Sequence, residues 1–379
     1  MFWMYAGFTL LVLLLLALDL GVLNRKAHVV GIKEALGWSS FWITLGLLFS
    51  VFIYFGYEQH WMGLGLTVDT MGSSPVDVEG VGLVYNDGAS ATVKYITGYV
   101  VEKSLAVDNI FVIAMLFGFF AVPPVYQHRV LFWGIIGALM MRGIMIAVGA
   151  ALLREFSWII YLFGGFLIFT GLKMMIMPEF SEDPNKNLVV RLCRKMLPIT
   201  ERFHGPHFLV RAGSAASQEA ETPGDKELPD RVVDAAKPGT LMATPLLLSL
   251  VMVEFTDLIF AVDSIPAIFA ITNDPFIVFT SNVFAILGLR SLYFALAGMI
   301  DKFHYLKFAL ASILLLVGVK MMSHGWLKKA LGENFNLYVL GMVLGILGLG
   351  VVASLIFPRK DTIEAQTGTK LAHGDELEE

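Results

Sequence analysis

The sequence predicts an all-α polytopic membrane protein of about nine transmembrane helices, six of them forming two inverted three-helix repeats. Three observations lead there. The chain of 379 residues is 56% hydrophobic and only 16% charged, with a mean hydropathy of +0.71, whereas soluble domains carry about 25% charged residues. Its apolar residues gather in nine stretches near the length of about 20 residues that a helix needs to cross a bilayer: roughly 3–23, 38–57, 92–119, 129–153, 156–177, 241–271, 277–299, 305–323 and 335–357. The third to fifth stretches also share motifs with the sixth to eighth. This composition excludes an ordinary soluble enzyme. A formal net charge of −5 offers no basic surface for nucleic acid, and the single cysteine, Cys193, no disulfide framework.

The first stretch lacks a basic leader, and Arg25 and Lys26 follow it. That pattern reads as an uncleaved anchor with the N-terminus outside. Lys and Arg in the short loops agree. Arg25, Lys26, Lys33, Arg129, Lys302, Arg359, Lys360 and Lys370 then lie inside, and Lys94, Arg154, Lys328 and Lys329 outside. An odd number of spans leaves the C-terminus in the cytoplasm. The expected organisation is two N-terminal helices (1–57), an acidic external loop (58–91), a first repeat (92–177), a cytoplasmic loop (178–240), a second repeat (241–323), a last helix (324–357) and a cytoplasmic tail (358–379). Within the cytoplasmic loop, 214–239 is rich in Ala, Ser, Glu, Asp and Pro and reads as a flexible insertion.

Glu102-Lys-Ser-Leu-Ala-Val-Asp108 in the third stretch matches Asp257-Leu-Ile-Phe-Ala-Val-Asp263 in the sixth. The fourth and seventh each carry one arginine near mid-depth, Arg142 and Arg290. Gly171-Leu-Lys-Met-Met in the fifth matches Gly318-Val-Lys-Met-Met in the eighth, at an offset of 147. A three-span unit repeated immediately enters from opposite sides, so the halves have inverted topology, and the expected site lies at the midplane where they meet.

Six acids fall within the stretches: Asp19, Glu102, Asp108, Glu254, Asp257 and Asp263. Each costs about 2.5–3.5 kcal/mol at a helix centre when uncompensated. Buried ion pairs with Arg142 and Arg290 account for two of them and leave four. Glu254 and Asp257, three apart, share a helix face. Residues six apart lie about 120° around the axis and ~9 Å along it. Either the helices are interrupted between Glu102 and Asp108 and between Asp257 and Asp263, or each pair marks two separate subsites. Pro266 favours an interruption in the sixth stretch, because it crowds and frees the carbonyl of Val262. Asn109 and Ser264 offer further neutral oxygens. Zn²⁺ and Cu⁺ prefer imidazole or thiolate, yet no cysteine lies in a stretch and His304 and His324 stand at stretch edges. Carboxylate and carbonyl oxygens suit Mg²⁺, Ca²⁺ and Mn²⁺. Met175 and Met322 read mainly as packing residues with a thioether that favours Mn²⁺. Lys173 and Lys320 read as snorkelling to the interface.

Glu102-Lys-Ser-Leu-Ala-Val-Asp-Asn-Ile-Phe and Glu254-Phe-Thr-Asp-Leu-Ile-Phe-Ala-Val-Asp-Ser-Ile-Pro-Ala-Ile resemble the TerC family of bacterial integral membrane proteins, most closely its Alx-type members. Leu18-Asp-Leu-Gly and Thr280-Ser-Asn-Val-Phe-Ala-Ile-Leu-Gly-Leu-Arg290 fit as well. The resemblance runs from about residue 5 to 357. It departs in two apparent insertions, near 62–88 and 213–239. It implies an inner-membrane protein linked to Mn²⁺ export and, by older naming, to tellurium resistance, with the family's acidic motif residues at Glu102, Asp108, Glu254, Asp257 and Asp263.

The leading expectation is therefore a secondary transporter exporting Mn²⁺. Protons are the counter-ion, no cofactor is permanently bound, and Arg142 and Arg290 balance charge in the empty site. Two alternatives stand beside it: a membrane scaffold or insertion factor docking through 178–240, and an exchanger of Ca²⁺ or Mg²⁺. An intramembrane aspartyl protease is disfavoured. The common type carries Gly-x-Gly-Asp, whereas Asp108 and Asp263 both follow Ala-Val. No enzyme is expected.

Overall fold

The computed structural model describes residues 2–18, 31–71, 75–156, 158–176, 188–214, 230–296, 305–323, 326–327 and 335–356. Asp19, His304, His324 and the tail after 356 lie outside the described residues, as do 177–187 and 215–229.

All nine expected stretches contain helix. They are α1 (Phe2–Leu18), α2 (Ile32–Glu58), α3 (Gly88–Phe119), α4 (Pro124–Glu155), α5 (Ile159–Ile176), α8 (Pro245–Phe269), the pair α9 (Pro275–Ile286) and α10 (Leu289–Leu296), α11 (Leu306–Met322) and α12 (Phe335–Ile356). Two short helices, α6 (Leu188–Met196) and α7 (Arg231–Ala235), lie between α5 and α8. The described residues add two antiparallel ribbons, β1 (Val76–Val78) with β2 (Gly82–Val84) and β3 (Leu209–Arg211) with β4 (Leu241–Ala243). Five helices, α2, α4, α5, α8 and α12, are long and apolar enough to cross a membrane, and the bent α9–α10 pair makes a sixth candidate. α1 and α11 have only 17 residues each, and α3 carries Lys94, Glu102, Lys103 and Asp108.

Local chemistry sets the helix starts. Proline stands at the first turn of α4, α8 and α9, where its missing N–H costs nothing. The Asp87 carboxylate accepts from the Ser90 amide at 2.6 Å to cap α3, and Asp274 accepts from the Phe276 amide at 3.0 Å to cap α9. α3 sits centrally against α2, α8, α9 and α12. α9 is buried nearly all round, from Phe276 to Ile286, as a helix apolar on every face must be. Leu13 and Leu14 of α1, Ile144 and Val148 of α4, Phe169 of α5 and Leu349 and Val352 of α12 face outward and stay exposed. Such an apolar girdle is a lipid-facing surface.

α5 and α11 pack through glycines. A Cβ on Gly171 would meet the Ala311 carbonyl and Leu315, and one on Gly318 would meet the Gly164 carbonyl and Ile168. Adding 147 to Gly171, Gly164 and Ile168 gives Gly318, Ala311 and Leu315, so the offset read from the sequence interchanges the two contacts.

The described part of the loop 58–91, the corner 270–274 and the facing ends of α11 and α12 gather at one end of the bundle, where Thr272 reaches Asp69 and Lys320 reaches Asn336. The opposite end holds the α3–α4 turn, where the Tyr293 hydroxyl donates to Gln127 at 3.1 Å. It also holds a small module formed by residues 197–214 and 230–244. The Asp230 carboxylate ties that module by accepting from the amides of Glu201, Val232 and Val233 at 3.0–3.2 Å, and Arg129 covers the Phe208 ring at 5.3 Å. The expected flexible insertion is thus folded from Asp230 onward, because one buried carboxylate organises it.

The expected interruption at Pro266 is not found. α8 runs through it, the ladder resuming from the Ala270 amide to the Pro266 carbonyl at 3.0 Å. Dense burial of Ile265, Ala267, Ile268 and Phe269 outweighs one lost hydrogen bond. The break falls instead in the seventh stretch, where α9 and α10 meet at 41°. Gly288 there has φ +80°, and Trp42 occupies the space a Cβ would need, its own Cβ 2.5 Å away.

Candidate functional site

Three long helices place the first acids of both halves around one guanidinium. Arg142 of α4 forks onto Asp257 of α8, with Nη2 donating to Oδ1 at 2.9 Å and Nε to Oδ2 at 3.2 Å. Its Nη1 donates to Glu102 Oε1 of α3 and to Ser264 Oγ at 3.2 Å. Glu102 is 1% exposed, Arg142 2% and Asp257 9%. A planar guanidinium suits this arrangement because its donors match a carboxylate in pairs. Arg142 thus pairs with two acids at once. Glu102 Oε2 remains buried without a partner among the described residues.

Glu254 lies one turn before Asp257, on the face expected from their spacing. Its carboxylate rests on Gly137 of α4, where an added Cβ would stand 2.0 Å from Oε1. Its Oε2 is also buried without a partner among the described residues. Gly137→Ala is expected to displace this carboxylate at a small net change in stability, within about 1 kcal/mol, because the clash is with the far end of a flexible side chain and the methyl replaces a helix-interior glycine. Adding Glu254→Ala removes the clash and should raise the melting temperature above that of the single variant. Melting curves of both variants in detergent check this, and a double variant that melts below the single one would show that the carboxylate does not contest this space.

Asp263 faces another way. It accepts from the Thr170 hydroxyl of α5 at 3.2 Å and lies within electrostatic reach of Lys173. With α8 unbroken, Asp257 and Asp263 point to different partners, Arg142 and Thr170, as the angular argument allows. α3 is unbroken as well. The Asp108 side chain lies outside the described residues, and Asn109 beside it is buried. Val262 is 43% exposed. Arg290 does not join Arg142. It is buried near Leu16, Trp38, Trp42 and Ile135 at the α10 start. Among the described residues no three His, Cys, Asp or Glu side chains converge closely enough to hold a metal ion. Met322 packs over Gly164 and Met175 is exposed on α5.

Charged groups to which the sequence reading gave no buried role, Lys94 and Lys320 among them, are also buried. At the end of the bundle near loop 58–91, Lys94 and Asp69 form an ion pair at 2.9 Å with both side chains 0% exposed. Lys94 also donates to Asn86 Oδ1. Asp69 accepts from Thr272 Oγ1, from Asn86 Nδ2 at 3.2 Å and from the Asn273 amide at 3.0 Å. Burial pushes the Asp69 carboxyl up, but Lys94 and these hydrogen bonds outweigh it and hold it at about 2. Burial, and then the charge of Asp69, push Asp274 up to about 6. Lys320 does not snorkel. It is 2% exposed and donates to Asn336 Oδ1 at 3.0 Å. Lys103 is half-buried, and it donates to the carbonyls of Ala285 and Leu287 at the α9–α10 break. A charge inside an apolar stretch was the available signal for Lys94 and Lys103. Asp69 gave none, since it stands in a polar loop.

Residues 87–362 match the family described as "Integral membrane protein TerC family". The chain is 43% identical over 356 residues to "Uncharacterized membrane protein STKORF319" of Myxococcus xanthus, covering 94% of this chain and 93% of that protein. It is 41% identical over 346 residues to "Putative membrane-bound redox modulator Alx" of Escherichia coli (strain K12), covering 90% and 93%. It is 36% identical over 359 residues to "Uncharacterized membrane protein" of Rickettsia bellii (strain RML369-C), covering 95% and 98%. No solved structure matches the chain.

Proposed function

We propose, from the premise that this chain belongs to the TerC family of integral membrane proteins, that it is a secondary transporter exporting divalent cations, Mn²⁺ foremost, in exchange for protons. One observation carries the reading: Glu102 from the first three-helix unit and Asp257 from the second close on the same buried guanidinium. Two carboxylates from different halves, held by one basic side chain, form a site that a divalent cation can enter by displacing Arg142. Glu102 Oε2 and Glu254 Oε2, both buried and without partners among the described residues, offer oxygens toward such an ion. Asp263, with Thr170, forms a second acidic position farther along α8.

The interchange of the α5 and α11 contacts under the 147-residue offset supports an inverted repeat, the architecture of many secondary transporters. We place the chain in the bacterial inner membrane with the N-terminus outside, which puts the Asp69 end outside and the module of residues 197–214 and 230–244 in the cytoplasm. The name of the Escherichia coli relative speaks of redox modulation. Here the chain has one cysteine, Cys193 in α6, so a dithiol couple within one chain has no residues to use.

Mn²⁺ accumulation in inside-out vesicles, with and without an imposed pH gradient, tests the proposal. Mg²⁺, Ca²⁺ and Zn²⁺ serve as competitors. Gradient-stimulated uptake is expected, and it should be abolished by Asp108→Asn together with Asp263→Asn in protein shown to be inserted. Uptake at the control level in the wild type, or normal uptake in the double variant, would overturn it.

A further inference from the structure

A helix that stops inside the bundle leaves carbonyls without helical donors, and at membrane depth each such group is expensive. α9 stops at Ile286. The exposed end is met by a side chain from another helix: Lys103 Nζ of α3 donates to the Ala285 carbonyl at 3.0 Å and to the Leu287 carbonyl at 3.3 Å. Among the described residues no carboxylate stands within ion-pair distance of this ammonium. Its negative partner is therefore the carbonyl end of α9, where the peptide dipoles sum to partial negative charge. The other side of the break is held by Trp42 of α2 against Gly288.

Lys103 follows Glu102 directly, so the two side chains leave α3 about 100° apart. Glu102 points to Arg142 on α4 and Lys103 to the break between α9 and α10. One turn of α3 thus grips the carboxylate centre with one residue and the broken helix with the next.

We propose that Lys103 is a positioning residue that ties the α9–α10 break to the carboxylate centre, so that displacement of Glu102 from Arg142 is passed through α3 to the bend. The coupling rests on the transport reading above, whereas the hold on the break does not. A cation entering at Glu102 shifts the turn, and the ammonium carries the two carbonyls with it. Methionine in place of Lys103 keeps the apolar stem and removes the grip. Arginine keeps the charge and the donors.

Trp42 is the local reporter. With 5-fluorotryptophan incorporated and its signal assigned by Trp42→Phe, fluorine NMR of the full chain in detergent reads the break. The wild type and Lys103→Arg are expected to give one sharp Trp42 signal that moves on Mn²⁺ saturation. Lys103→Met should give a displaced or split signal before any Mn²⁺ is added, and no further movement after. Its Mn²⁺ dissociation constant should stay within about threefold of wild type while turnover falls about tenfold or more, since an interaction outside the binding step changes rate rather than affinity. A wild-type Trp42 signal and turnover in Lys103→Met would overturn the proposal. So would parallel loss of affinity and turnover, which would make Lys103 part of the binding site itself. If Lys103→Met does not fold, Lys103→Gln, which keeps a donor without charge, is judged by the same criteria. A wild type that neither binds nor moves Mn²⁺ refutes the transport reading, and with it the coupling. The ligand-free comparison of Trp42 signals then still decides whether Lys103 holds the break.

Discussion

Arg142→Met is expected to destabilise the folded bundle by about 3–5 kcal/mol, because it strands two buried carboxylates rather than one. Glu102 and Asp257 both depend on this guanidinium, and Ser264 provides only a hydroxyl. The loss is a penalty for charge left unpaired, not a measure of how favourable the cluster is. A triple variant carrying Arg142→Met, Glu102→Gln and Asp257→Asn should therefore recover most of the stability while remaining unable to bind a divalent cation. Unfolding in detergent and equilibrium Mn²⁺ binding on the same preparations check both statements. A single variant that melts like the wild type would mean that the acids are neutral or hydrated without Arg142.

Lys94→Met is expected to cost a similar amount, about 3–5 kcal/mol, at the other polar centre of the molecule. Both partners of the Lys94–Asp69 pair are fully buried. The network joins loop 58–91 to the α8–α9 corner through Thr272 and Asn273, so its loss should also loosen that loop to protease. Its pH dependence has a definite sign. Asp69 is held at about 2 against an ordinary 3.8. Its contribution is complete above about pH 4 and is lost as the pH falls toward 2. Asp274 is raised to about 6. It favours the folded state at low pH, and that advantage declines as the pH rises from about 4 through 6. Each effect is on the order of 2–3 kcal/mol. Melting temperature followed from pH 3 to 8 should thus pass through a maximum near about pH 4. Lys94→Met should move the acid limb upward, and Asp274→Asn should remove the decline above it. A flat profile in the wild type would contradict the assignment.

Much of the fold was legible because each helical segment is written in local composition. Nine apolar stretches mark nine helical places, and the prolines at 124, 245 and 275 open their helices where a proline belongs. The spacing of Asp257 and Asp263 was equally informative, since six residues around an unbroken helix must diverge, and they do. The break was misplaced for a physical reason. Proline is conspicuous in a sequence, but one missing hydrogen bond yields to good packing on both sides. Gly288 is inconspicuous, and what makes it a break point is the indole of Trp42, far away in the chain. Asp69 and Thr272, 203 residues apart, carry no periodicity that would announce a buried network. Arg142 was named for charge balance. That it would hold acids from both motifs could not be read from spacing within either one.

The glycine contacts between α5 and α11 act as a joint with two pegs. Leu315 seats against Gly171 and Ile168 seats against Gly318, one peg supplied by each helix. The pegs point in opposite directions and sit about one turn apart along the seam. Sliding either helix along its axis drives both pegs against the walls of their sockets, whereas rolling one helix over the other leaves them seated. Any rearrangement that keeps this joint intact is therefore a rocking of one helix set against the other, and a lift of one set through the bilayer would have to break it.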